Sequence, residues 1–453
     1  MTTRIAGVLL GVMALAGACG GSDLSHQGKA DAAQPDTPRL PDAPTDAPFA
    51  VETPLPTGTP VAIPLASLGA MSYTGRLSFG NQHQAVILDT GSSTLGVAGS
   101  TCTTCGVTPL YAAGSGAVDQ HQTASSMYAD GTGWTGEIYK DTVALGSGRA
   151  VALKFGDITS SSGFFRDLGG NSTIAYQGIL GLGPDAALIA GTTSYLSTVF
   201  AGGTMGEIAF ELCHDDGTMW LGGYDPSKQA GPQAVTGMQS SLPIYAVEVA
   251  DMGVAGMTLN QTTSAFGPTI IDTGTSISFI PTDPLNALTT AIESSAGFQA
   301  AFAGQSLSSN SGCVTSSMTA AQLDAMLPPI EVTFPGLQGG NSPPVDLPAT
   351  SSYFVHLGDM WCFAFADSAQ LTGGQATVSL FGDSLLRAWV TTFDIAGHRM
   401  GFAPQSGCAT TTMARTTQPV APLVQGMPWW KQDPRVRYPS PTEVERRLRG
   451  LHD

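Results

Sequence analysis

The chain has 453 residues, of which 42% are hydrophobic and only 12% charged, with 56 Gly and 30 Pro. So few charges and so many turn formers exclude helical bundles and coiled coils and suit a large all-β protein. A formal net charge of -17 excludes nucleic acid as a partner, because phosphate binding needs a basic surface.

From the N-terminus, residues 1–18 read as an export signal, with Arg4 as the positive region and Val8 to Leu15 as an apolar core. That core is too short to span a bilayer as a mature helix. Ala16-Gly17-Ala18 precedes Cys19 in a pattern that resembles a bacterial lipobox, with Leu15 one place early, and that also reads as an ordinary A-x-A cleavage site. A lone Cys directly at the cut favours lipidation of Cys19 and a tether to a cell envelope, and Gly20 behind it resembles lipoproteins of the outer membrane. Residues 19–62, rich in Ala, Pro, Asp and Thr, read as an extended tether. No other apolar run of about 18 residues is present, so membrane contact is expected only through Cys19.

The structured part is predicted to start near Pro64. Short alternating runs broken by Gly pairs predict strands at Tyr73 to Phe79, Gln84 to Leu88, Glu137 to Leu145, Glu207 to Leu212, Trp220 to Leu221 and Ala246 to Val249. Helices are predicted at Asp283 to Glu293, with Pro284 suited to its first turn, at Thr319 to Met326 and at Leu385 to Trp389. After Cys408 the composition changes. Residues 409–453 hold Trp429-Trp430, Arg435, Arg437, Arg446, Arg447 and Arg449, and Thr442 with Glu445 offers a capping box. This basic tail reads as an unstructured end, with docking on the acidic body or a partner as the alternative.

The chain also repeats itself. Ala85-Val86-Ile87-Leu88-Asp89-Thr90-Gly91-Ser92-Ser93 is echoed by Pro268-Thr269-Ile270-Ile271-Asp272-Thr273-Gly274-Thr275-Ser276. Ile179-Leu180-Gly181 follows the first copy and Leu380-Phe381-Gly382 the second. A repeat at half the chain length predicts two similar lobes facing each other, not a solenoid. The chemistry of each copy is legible. An apolar strand carries a carboxylate into the interior, Gly turns the chain tightly, and hydroxyl residues hold the carboxylate oxygens. One such loop is commonly structural; two matched copies are far more specific.

These motifs resemble the two active-site loops of the pepsin family of aspartic peptidases, and the resemblance covers roughly residues 64–408. Tyr128-Ala129-Asp130-Gly131-Thr132 resembles the flap that covers the cleft. Gly178 to Gly183 and Phe381 to Arg387 resemble the segments that close each lobe's loop. The resemblance implies an all-β, bilobal fold, with residues 63–240 as the N-terminal lobe and 241–408 as the C-terminal lobe. It implies that Asp89 and Asp272 form a catalytic pair that activates water to hydrolyse peptide bonds, with no metal, no cofactor and no covalent intermediate. In this reading Thr90 and Thr273 tie the loops together beside Gly91 and Gly274, and Ser92 and Thr275 bond the outer carboxylate oxygens. Tyr128, Asp130, Thr132, Tyr176 and Ile179 would contact substrate. The partners implied are peptides or proteins, met by a monomeric enzyme. The six cysteines other than Cys19 predict disulfides in an exported protein, and the resemblance pairs Cys102 with Cys105, Cys313 with Cys362, and Cys213 with Cys408.

The sequence departs from the family pattern in places. Gly96 stands in the stretch where the family often has a Trp near the flap Tyr, with Trp134 a candidate to compensate, and Gln177 stands where Asp is usual. Residues 20–62 hold only Lys29 and Arg39, so a basic N-terminal prosegment is not expected. Gly382-Asp383-Ser384-Leu385 spells a lipase nucleophile motif, but at the wrong end of the chain. The scattered His residues include no His-Glu-x-x-His, which speaks against a metallopeptidase. A catalytically inactive surface binding protein of the same fold stays open as the alternative.

Overall fold

The computed structural model describes residues 59–69, 71–127, 132–165, 176–201, 206–308, 311–374, 376–408, 423–424, 426–439, 444 and 448. The export signal, Cys19, most of the tether, Tyr128, Asp130, and both Thr442 and Glu445 lie outside these residues. Among the described residues no helix is long and apolar enough to cross a membrane.

Strands dominate. The first, Val61–Ser67, begins before Pro64 and takes Val61 and Ala62 from the expected tether. Its alternation buries Ile63 and Leu65 and leaves Ala62, Pro64 and Ala66 outward, the period-2 pattern of a sheet with one buried face. A sheet of thirteen strands runs through the molecule. Its centre joins the two ends of the folded chain: Trp389–Asp394 pairs antiparallel with Glu207–Leu212, which pairs with Asp216–Leu221, which pairs with Val61–Ser67. Three smaller sheets of five, four and three strands complete the second half.

The sequence repeat becomes a structural one. Gln82–Asp89 lies parallel to Gly178–Gly181, with Asp89 opposite Gly181. Thr269–Ile271 lies parallel to Ser379–Phe381, with Ile271 opposite Phe381. A third strand then adds antiparallel to each pair, Leu95–Ala98 in the first half and Ser278–Ile280 in the second. Strands so enclosed are covered on both faces, which is why they read as continuous apolar runs rather than alternating ones. Each carries its Asp to the end of a buried strand.

Helices are few and mostly short. Thr282–Ser294 buries Pro284, Leu288 and Ile292 along one stripe. Ala320–Met326 starts at a capping box in which Thr319 and Gln322 satisfy each other's backbone N–H groups. Ala296–Phe302 buries Phe298, Ala301 and Phe302 and follows directly on the preceding helix through Ser295, which caps it. The third expected helix is shifted. It spans Asp383–Leu386, and Trp389 instead opens the strand Trp389–Asp394, where pairing with the first half overrides local propensity.

The described part of the C-terminal tail is not an unstructured end. Trp429, Trp430, Val436 and Val444 are buried in an apolar cluster with Ile270, Phe279, Val355 and Leu380 of the second half. Three disulfides, Cys102–Cys105, Cys213–Cys408 and Cys313–Cys362, staple the fold. Cys213–Cys408 closes a loop across 195 positions and locks the end of the last strand pair onto the first half.

Candidate active site

The two Asp-Thr-Gly turns meet at the junction of the halves, and each is wired into the other. Thr90 Oγ1 donates to the Ile271 carbonyl at 2.8 Å and accepts from Thr273 N at 3.0 Å. Thr273 Oγ1 donates to the Leu88 carbonyl at 2.8 Å and accepts from Thr90 N at 3.1 Å. The arrangement has local twofold symmetry, so neither loop can shift without breaking bonds made by the other. All four groups are buried, where an unmade hydrogen bond is expensive.

The carboxylates are held in the same matched way. Asp89 Oδ1 accepts from Gly91 N at 2.8 Å and its Oδ2 from Ser92 Oγ at 2.5 Å. Asp272 Oδ1 accepts from Gly274 N at 2.8 Å and its Oδ2 from Thr275 Oγ1 at 2.7 Å. The two carboxyl groups converge over Gly274. A Cβ there would lie 2.2 Å from Asp89 Oδ1 and 3.1 Å from Asp272 Oδ1, so only glycine fits. Gly181 and Gly382 are required for a similar reason: a Cβ on Gly181 would meet Thr94 N at 2.3 Å, and one on Gly382 would meet the Thr275 and Ile277 carbonyls at 2.5 Å. They let each closing segment press against its loop, through Leu182 N to the Asp89 carbonyl and Asp383 N to the Thr275 carbonyl.

Asp383 is a third carboxyl at this site that the sequence motif did not mark as one. It is fully buried and neither oxygen has a hydrogen-bond partner. Burial first, and then the charges of Asp272 and Asp89, hold its carboxyl well above the usual carboxylate range, against the pull of Arg387 and Arg437. The neighbouring Ser384 Oγ is buried with no partner, so nothing activates it as a nucleophile, and the esterase motif has no chemistry here. Asp394, downstream of that motif, is taken up by Arg399, through Nη2 at 2.5 Å and Nε at 3.0 Å.

The other residues singled out in the sequence fall as follows. The arms of the flap hairpin, Val118–Met127 and Gly133–Leu145, pair antiparallel with Met127 opposite Gly133, and Thr132 leads into the second arm. Trp134 fills the space left by Gly96. Its ring sits where a Cβ on Gly96 would come within 2.9 Å of Cζ2, and it also covers Gly156 at 2.7 Å. The ring reaches Gly96 from two strands away, across Gly156 of the intervening strand Val151–Ser162. Gln177 is bound through both ends of its amide, accepting from Ala85 N at 2.8 Å and donating to the Thr108 carbonyl at 3.1 Å, a donor–acceptor role no Asp carboxylate could fill. Tyr176 is fully buried and its hydroxyl donates to the Phe164 carbonyl at 2.6 Å. Ile179 is packed inside the apolar cluster with Trp134 and Ile158.

Two buried carboxylates converging from twin Asp-Thr-Gly turns, on a mostly β fold closed by a sheet shared between its ends, define an aspartic peptidase. Comparison with known proteins agrees. The family model described as eukaryotic aspartyl protease matches residues 72–405, and the chain belongs to that family. It is 29% identical over 335 residues to an aspartic protease of Phaffia rhodozyma, covering 73% of this chain and 76% of that one. It is 26% identical over 354 residues to gastricsin of Cavia porcellus, covering 73% and 80%. It is 26% identical over 345 residues to pepsin-2B of Gadus morhua, covering 73% and 95%.

Proposed function

We propose that Asp89 and Asp272 together hydrolyse peptide bonds in polypeptide substrates. The observation that carries this is the reciprocal Thr90–Thr273 network, which brings two carboxylates together over Gly274. Two carboxyl groups so close cannot both ionise readily and share one proton, and aspartic peptidases are the standing example of that behaviour. The ionised member takes a proton from water as general base. The resulting hydroxide attacks the peptide carbonyl, while the protonated member donates to the developing oxyanion. Collapse of the tetrahedral species breaks the C–N bond, and a proton passes to the leaving nitrogen. The products are a carboxylic acid and an amine, with the dyad's proton restored. Gly91, Ser92, Gly274 and Thr275 hold the carboxyl oxygens in place, and Tyr128, Asp130, Thr132 and Tyr176 are proposed substrate contacts; Ile179, packed inside the apolar cluster, is not among them. Residues 63–240 and 241–408 are the proposed lobes of a monomeric enzyme.

The test is cleavage of a denatured protein in acid by wild type, Asp89→Asn and Asp272→Asn. Asn keeps the shape but cannot exchange the proton, so turnover is expected to fall by about 10²- to 10⁴-fold or more while the fold persists. A folded Asp272→Asn variant with near-normal proteolysis, or wild type that binds peptides without cutting them, would overturn the mechanism.

Export fits the three disulfides, since such bonds persist in oxidising compartments. We further propose that Cys19 carries a lipid that tethers the enzyme to the cell envelope, on the outer membrane. The support is the short apolar signal ending at Cys19 and the Pro-rich spacer behind it. Mass spectrometry of the mature N-terminus is expected to find acylated Cys19; an unmodified Cys19 or a different first residue would end this idea.

A further inference from the structure

The C-terminal tail reaches the second active-site loop and pairs with it as a peptide strand would. Ser276, four residues after Asp272, donates its backbone N–H to the Arg437 carbonyl at 2.8 Å. Arg437 N donates back to Ser276 Oγ at 2.9 Å, and that hydroxyl in turn donates to the Met71 carbonyl at 2.5 Å. Arg437 thus offers the loop both its N–H and its C=O, the two groups by which a bound peptide's main chain is held, one to a backbone N–H and one to a side-chain hydroxyl. The Arg437 side chain meanwhile crosses to the first half. Its Nη1 donates to Tyr176 OH at 3.3 Å, and its guanidinium lies 5.3 Å from the Phe164 ring centroid and 5.7 Å from that of Tyr176. Arg437 therefore bridges the two halves beside the carboxyl pair, and its charge is felt at Asp383 along with those of Asp272 and Asp89.

The approach is built, not incidental. Trp429 is anchored by its N–H to the Ser311 carbonyl at 3.1 Å and its indole Nε1 to the Phe363 carbonyl at 2.9 Å. Trp430 meets Phe279 edge-on at 5.2 Å, and Tyr438 packs on Trp430 at 4.7 Å. Asp433 then turns the chain, accepting from Arg435 N at 2.9 Å, and residues 436–439 run on without helix or turn. Yet the inserted side chain is poorly satisfied: Arg437 is 7% exposed and its Nε has no hydrogen-bond partner. A buried cation with an unmet donor is a poor choice for a permanent staple, whereas a ligand that must leave can tolerate it.

We propose that the segment Asp433–Pro439 is an intramolecular pseudosubstrate: it occupies the peptide groove beside the second loop, must be displaced for full activity, and marks that groove as one that takes extended peptides with an arginine opposite Ser276. This rests on reading the carboxyl pair as a peptidase centre. The apparent affinity of the groove for other peptides is lowered by the fraction of time the tail occupies it.

The experiment uses the full chain and a statine-containing peptide inhibitor as the probe. In wild type, saturating inhibitor is expected to raise hydrogen exchange at residues 435–438, because Arg437 N–H loses its partner. Arg437→Glu is expected to bind the inhibitor about tenfold more tightly and to lower KM by a similar factor. A synthetic peptide of residues 429–439 is expected to inhibit Arg437→Glu competitively, and the same peptide with Glu at its arginine 437 position is not. Inhibitor binding that leaves exchange at 435–438 unchanged would overturn the proposal, whatever the fate of the variant. Asp272-dependent cleavage that is equal in wild type and Arg437→Glu would overturn it while leaving the peptidase reading intact. Tail release by inhibitor with no cleavage by either protein would uphold the pseudosubstrate and sink the peptidase reading.

Discussion

The two Asp-Thr-Gly loops are near twins in their bonds and unlike in their surroundings. Around the first, the closing segment runs Gly181-Leu182-Gly183, and Trp134 of the hairpin packs against Gly96. Around the second, the matching segment runs Gly382-Asp383-Ser384, which places a buried carboxyl where the first loop has leucine, and the C-terminal tail bonds to Ser276. The difference teaches that symmetry is kept where geometry must be shared and given up where each loop meets its own cover. A matched pair of hydrogen-bonded turns brings the carboxylates together; unmatched neighbours then give the two sides different electrostatics and different access.

That comparison can be broken at its symmetric part first. Asp89→Asn and Asp272→Asn are expected to reduce kcat by a similar factor, about 10²- to 10⁴-fold or more, because each removes half of one acid–base unit. Steady-state kinetics on a peptide substrate checks this, and a large loss from only one of them would mean that the loops are not equivalent in use. Next comes the asymmetric cover. Trp134→Ala removes a buried indole that Gly96 and Gly156 cannot replace, and a loss of about 3–5 kcal/mol in denaturant unfolding is expected. A loss under about 1 kcal/mol would show that the hairpin does not depend on this filling.

The Thr pair tests the wiring between the loops. Thr90→Val and Thr273→Val should each destabilise by about 1–3 kcal/mol, since each strands buried partners. The double variant should lose less than the sum, because the two hydroxyls serve one network. Simple additivity in a double-mutant cycle would refute the reciprocal description.

The smallest expected effect concerns pH, and it separates the first half from the shared sheet. Burial first, then the charge of Glu137, pushes Asp157 up to about 7. Burial first, then Asp394, pushes Glu207 up to about 7 against the pull of Arg399. A carboxyl raised in the folded state binds protons there that the unfolded chain releases. Its contribution is complete below the ordinary carboxylate range and fades as pH rises through about 7. Thermal unfolding is therefore expected to show lower stability at pH 8 than at pH 5, with Asp157→Asn flattening part of that slope. An unchanged slope in the variant would remove Asp157 as a cause.

The sequence by itself determined the all-β class, the two-copy organisation and the candidate carboxylate pair. Each of these rests on local chemistry: apolar strands running into Asp-Thr-Gly, hydroxyls at fixed offsets and glycines at tight turns. Only the tertiary structure decided the rest, because the partners come from distant chain. Trp389 is a strand residue since Glu211 and its neighbours pair with that stretch, though its own surroundings suggested helix. Trp134 fills the space beside Gly96 from 38 positions along the chain, through a strand order and register that no local pattern reveals. Asp383 becomes a third carboxyl at the site because its segment is folded against the second loop, and a tail that read as an unstructured end is ordered where its tryptophans find an apolar cluster in the second half. Local sequence can specify a turn and the chemistry it carries; what covers that turn is set by burial between segments far apart in the chain.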